Sequence, residues 1–259
     1  MVDDVHPDLG AVDILFAGGC HTIGYPIGEA HSFPRIVQQE LAQERISVAV
    51  GVLPYLKMSH QSKLIAKCQE LQPGILVLQL GHFELDCGLK EYFRRRVGAA
   101  KRGSSSKPSL TSPRQKGFIS NPSRFYLKSH GKALLDRCLG HPLVNLAEIE
   151  ALGRNLLSAL HNAVHIPLIV LLSPLPCADH TTMYYRTQTV PVFRGLASQY
   201  RCEFIDVLAG APIQRQTRFG PDAYYYDAVH LSDGGHQVVA KSIVARLRPA
   251  VRSLGKCLA

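Results

Sequence analysis

Three short apolar runs that each halt at a glycine or a proline limit most strongly what this chain can fold into. Ile75-Leu-Val-Leu-Gln-Leu80 stops at Gly81, Ile166-Pro-Leu-Ile-Val-Leu-Leu172 stops at Ser173-Pro174, and Asp13-Ile-Leu-Phe-Ala17 stops at Gly18-Gly19. Runs of this length, apolar at consecutive rather than alternate positions, read as strands buried on both faces. Residues 46–50, ending in Gly51, and 202–207 are read as two further strands, each with polar residues among the apolar ones. Between them lie segments with helical composition or spacing, at 25–43, 61–72, 144–164, about 190–200 and 232 to about 247. Buried strands alternating with helices predict a five-stranded parallel sheet covered on both faces, an α/β fold built as a three-layer sandwich. With no internal repeat, one domain over residues 1–259 is the economical reading. In such a sheet ligands bind beyond the carboxyl ends of the strands, where Gly18-Gly19, Gly51, Gly81 and the loop after the fifth strand are expected.

Composition narrows the class further. With 46% hydrophobic and 19% charged residues, and no apolar run approaching ~18 residues, no membrane span is expected. The start of the chain, with Asp3, Asp4 and Asp8, has neither the basic nor the apolar region of a signal peptide. Seven cysteines at irregular spacing, with no CxxC pair, suggest neither a disulfide framework nor a zinc module, and a reducing cytoplasm is the default setting.

The net charge of +9 is concentrated in one place. Between residues 92 and 132 there are eleven basic residues and no acidic one, which leaves 18 basic against 20 acidic residues elsewhere. The surrounding stretch, about 90–142, is rich in Ser, Pro, Lys and Arg and is read as a partly disordered insertion. The plain reading is a solvated loop. An anion-binding surface and a lid favouring an anionic substrate are the other two, and sparse aromatic residues argue against a nucleic-acid stacking platform.

Two places carry chemistry. Cys20 follows Gly18-Gly19 at the end of the first strand, where glycines let the next residue be thrust out, and a helix starting near Tyr25 would favour a thiolate there. Asp227 and His230 lie three apart, just ahead of the last helix. A nucleophile, an imidazole base and a carboxylate that orients the base are the three types a covalent acyl-transfer site needs. The other six cysteines are read as core residues. His21, His82 and His230 could in principle surround a metal with Cys20, but no tight ligand spacing supports it, and no cofactor is expected. The runs Tyr184-Tyr185 and Tyr224-Tyr225-Tyr226 are read as loop packing or as a wall of a pocket.

The segment Asp227-Ala-Val-His230-Leu-Ser-Asp-Gly-Gly-His236 resembles the Asp-x-x-His block that closes SGNH (GDSL-like) hydrolases. In that family the first strand ends in Gly-Asp-Ser-x-Thr-x-Gly, which Gly18-Gly19-Cys20-His21-Thr22-Ile23-Gly24 resembles, with Cys20 at the nucleophilic serine. The family's Gly-x-Asn-Asp block after the third strand is rendered Gly81-His82-Phe83-Glu84. The resemblance implies the SGNH fold, with a flavodoxin-like sheet, and an ester hydrolase or acyltransferase in which Cys20 is the nucleophile, His230 the base and Asp227 its partner. Gly81, Gly51 and His82 are then the expected oxyanion and substrate contacts, and the substrate an ester of a small molecule or glycan. Three departures stand out: Phe83 has no donor where the family has Asn, Gly19 replaces Asp, and Pro54 has no N–H where a second glycine is expected. They keep open a second reading, a catalytically impaired member that binds a ligand or a partner.

Overall fold

The computed structural model describes residues 12–55, 57–81, 83–85, 127, 130–131, 134, 144–210, 224–227 and 229–257. His82 and nearly all of the basic insertion lie outside them.

Five parallel strands form one sheet: β1 (Ile14–Gly18), β2 (Val50–Pro54), β3 (Ile75–Gln79), β4 (Leu168–Leu172) and β5 (Glu203–Ile205). Their order is β2-β1-β3-β4-β5. Residues of β1 pair with both β2 and β3, Ile14 lying opposite Val50 on one side and Ile75 on the other. Every residue of β1 and β3 is buried, as expected where helices cover both faces. On one face pack α2 (Gln61–Leu71), α3 (Leu146–Ala163) and α4 (His180–Gln199), around Leu15, Leu78, Leu156 and Phe193. On the other face α1 (Phe33–Gln43) and the long α6 (Asp233–Cys257) pack around Phe16, Val77, Val37 and Ile243, while the short α5 (Val207–Gly210) follows β5 directly. The chain winds outward from β1 in both directions, so the crevice at the topological switch opens between the carboxyl ends of β1 and β3.

The sequence expectation holds for the sheet and its winding, with three differences. The second strand begins at Val50 rather than Ile46, so Gly51 lies inside it opposite Leu15, where a Cβ would come within 3.1 Å of Val12. It is therefore not at the strand's carboxyl end. The first helix begins at Phe33, not near Tyr25. Residues 19–25 form a series of tight turns instead, and Gly24 (φ +79°) and Gly28 (φ +101°) leave only a single 3-10 turn, Glu29–His31, ahead of α1. The fourth helix begins ten residues earlier than expected, at His180 rather than about residue 190, and Pro191 does not end it. Pro191 lies inside α4, whose N-cap is Asp179, accepting from Thr182 N–H at 2.9 Å.

Candidate active site

Cys20 leaves the end of β1 on a turn whose carbonyls and amides are tied to one another. Thr22 N–H donates to Gly19 O at 3.0 Å and Tyr25 N–H to Cys20 O at 2.9 Å. The turn lies against β3: Gln79 Oε1 accepts from Gly19 N–H at 3.0 Å and from the Thr22 hydroxyl at 2.8 Å. Gly18 is needed here because a Cβ would lie only 2.7 Å from that oxygen. Cys20 itself is half-buried.

Asp227 and His230 sit on a tight loop that Tyr225 and Leu231 close by an antiparallel bridge. Asp227 Oδ1 accepts from the N–H groups of Val229 (2.9 Å) and His230 (2.8 Å), an Asx-type turn that explains the spacing of three. The same carboxylate accepts from His230 Nδ1, at 2.8 Å from Oδ2 and 3.0 Å from Oδ1. Gly235 completes the loop, since any Cβ there would run into the Tyr224 carbonyl.

The Cys20 side chain also acts on the His230 ring, by hydrogen bonding and by charge that both raise its pKa. With Nδ1 held by Asp227, Nε2 is the nitrogen left to face the thiol. Burial alone would lower the His230 pKa, but the hydrogen bonds to Asp227 and Cys20 and their charges outweigh it and push it up to about 9. Burial raises the Asp227 carboxyl, and the hydrogen bond and charge of His230 with two backbone N–H groups overcome that, leaving it below the usual range. The three residues are thus one charge-coupled unit at the switch point of the sheet.

Around them is a ring of aromatic side chains. Tyr25 meets the His230 ring edge to face at 5.0 Å, and buried His21 lies 5.6 Å from His230 and 6.0 Å from His236. His236 Nδ1 accepts from Phe33 N–H at 3.0 Å, which joins the starts of α6 and α1 and requires a neutral ring. Burial, with the charge of His230, holds its pKa down at about 4.

Of the other expected contacts, Gly81 (φ +78°) is buried at the end of β3, next to the end of β1. Gly51 is not brought to the site, and His82 is outside the described residues. Phe83 is half-buried in this loop, and Glu84 Oε1 accepts from Met58 N–H at 2.8 Å, bracing the segment after β2 against that after β3. Tyr225 packs in the core and Tyr185 is buried, while Tyr184 is 57% exposed, so the tyrosine runs are divided between packing and surface. Cys68 and Cys177 are buried, and burial pushes Cys68 to about 12 and Cys202 to about 11. Burial makes those two thiols poor nucleophiles. Among the described residues no group of three or more His, Cys, Asp or Glu could hold a metal ion, and no helix is long and apolar enough to cross a membrane. Gln79 and Tyr25 are the site residues that sequence reasoning missed. A polar residue within an otherwise apolar buried strand was the available signal for the first.

No protein-family model matches the sequence, and no curated protein matches it. Solved structures do. A catalytic mutant of Axe2, an acetylxylan esterase from Geobacillus stearothermophilus, is 18% identical with a TM-score of 0.54, over 92% of this chain and 94% of that one. LAE5, an alpha/beta hydrolase enzyme from the metagenome of Lake Arreo, Spain, is 14% identical with a TM-score of 0.55, over 91% and 94%. TesA is 12% identical with a TM-score of 0.53, over 91% and 98%. This chain shares their fold. What is shared is an α/β fold, a five-stranded parallel sheet covered by helices.

Proposed function

We propose that the protein is an SGNH-type acyl hydrolase or acyltransferase acting on an ester through Cys20, His230 and Asp227. The observation that carries this reading is the bond from His230 Nδ1 to Asp227, with Cys20 near enough to the same ring to raise its pKa, at the carboxyl ends of β1 and β3. With the thiol's proton held on His230 Nε2, Cys20 Sγ attacks the ester carbonyl, forming a C–S bond as the carbonyl π electrons move to oxygen. Collapse of that oxyanion expels the alcohol, which takes its proton from His230 Nε2. His230 then removes a proton from water or an acceptor hydroxyl, whose oxygen attacks the thioester and releases Cys20. Asp227 accepts from Nδ1–H throughout and keeps the ring in the working orientation. Backbone N–H groups of Cys20 and Gly81 hold the oxyanion.

The substrate class we favour is an acylated glycan or another acyl ester, in keeping with the acetylxylan esterase whose fold the chain shares. The eleven basic residues at 92–132 follow the third-strand block and suit an anionic acyl substrate or partner. A second reading, a ligand-binding protein with an impaired site, draws on Phe83, which offers no side-chain donor. Turnover of a short-chain aryl ester by the wild type, with protection against iodoacetamide by substrate and loss in both Cys20→Ala and His230→Ala, supports the first reading. Turnover that persists after Cys20 is alkylated overturns it.

A further inference from the structure

One buried oxygen from the neighbouring strand takes two donors of the turn that carries Cys20. Gln79, the last residue of β3, is 3% exposed and accepts at Oε1 from both Gly19 N–H and the Thr22 hydroxyl. A backbone N–H can only donate, so the atom facing Gly19 must be the amide oxygen, and this makes the Thr22 hydroxyl a donor as well. The two donors bracket Cys20, one residue before it and two after. Gly19 and Thr22 are buried, so water is poorly placed to replace the lost acceptor.

We infer that Gln79, with Thr22, is a positioning residue for the nucleophile. It does not touch the reacting atoms. It fixes the rotation of the turn, and with it the aim of Cys20 Sγ toward His230 and of the Cys20 N–H toward the developing oxyanion. The inference rests on Cys20 being the nucleophile of the proposed reaction. A small misplacement of a reacting atom costs on the order of 10²-fold in rate without weakening ground-state binding. The effect therefore falls on kcat rather than KM.

The test uses Gln79→Met, which keeps length and loses the acceptor, with Thr22→Val, Thr22→Ser and the Gln79→Met/Thr22→Val double variant of the full chain. Two readouts are taken: kcat and KM for the aryl ester, and the iodoacetamide alkylation rate of Cys20 by peptide mapping. Expected are a loss on the order of 10²-fold in kcat for Gln79→Met with KM little changed, and roughly tenfold for Thr22→Val. Thr22→Ser recovers most of the rate. The double variant is close to Gln79→Met alone, because the two residues share one bond. Unchanged kcat and alkylation in a cooperatively melting Gln79→Met, or Thr22→Ser as slow as Thr22→Val, overturns the inference. If Gln79→Met does not fold, the Thr22 pair decides. If the wild type turns over no ester, alkylation decides: altered rates in Gln79→Met and Thr22→Val with recovery in Thr22→Ser uphold positioning while the hydrolase reading falls, and unaltered rates overturn positioning too.

Discussion

His230 Nδ1 lies 2.8 Å from Asp227 Oδ2, on a loop whose backbone N–H groups bond the same carboxylate. The pair is thus built before any substrate arrives. It also sets a pH dependence. Folded His230 keeps its proton up to about pH 9, while an unfolded histidine releases it near ~6.5. Between these values the folded state binds more protons, so the stabilisation is complete below ~6.5 and is lost as pH rises through about 9. A histidine NMR titration should place His230 near 9 in the wild type and clearly lower in Asp227→Asn. An unchanged midpoint in the variant would show that Asp227 does not hold the imidazolium.

His236 behaves in the opposite sense. Its folded pKa of about 4 lies below the ordinary value, so the unfolded state takes up the proton first, and stability falls as pH drops from ~6.5 toward 4. His236→Leu should remove that acid-side loss. It should also cost about 1–3 kcal/mol at neutral pH, by stranding the Phe33 N–H. Urea denaturation at neutral and mildly acid pH measures both effects.

The sheet was legible in the sequence because its central strands are buried on both faces, and continuous apolar runs ending at Gly or Pro have few other uses. Cys20, Asp227 and His230 were legible because each stands in a short local pattern. Gly51 was misplaced by a shift in strand start: Ile46 and Val48 have β-branched side chains, but the ladder with β1 begins only at Val50. The lone polar residue in the apolar run 75–80 marks Gln79 as unusual, but its partners lie 57 and 60 residues away in sequence, so the pattern could not say what it holds.

The placement of Gly51 separates two glycine variants. Gly51→Ala brings a Cβ within 3.1–3.2 Å of the movable side chains of Val12 and Leu15, so it should cost stability and leave kcat close to wild type. Gly18→Ala meets the Gln79 oxygen at 2.7 Å, and should lower kcat or prevent folding. Loss of kcat in a stable Gly51→Ala would return that glycine to the site.

Cys20→Ser should lower ester turnover rather than raise it. Serine attack depends more heavily on the oxyanion hole, and a missing side-chain donor costs on the order of 10²–10³ in rate. Adding Phe83→Asn should recover part of the serine variant's rate. Steady-state kinetics of the three proteins decide it, and a Cys20→Ser enzyme as fast as the wild type would remove the need for thiolate chemistry.

The central claim is that Cys20 becomes acylated with the help of His230. Rapid quenching during turnover of an aryl ester, followed by intact mass and peptide mapping, tests it most directly. The account predicts one acyl adduct per chain, on Cys20, absent in Cys20→Ala and formed far more slowly in His230→Ala. Turnover with no adduct on Cys20, or an adduct that forms equally fast in His230→Ala, would contradict it.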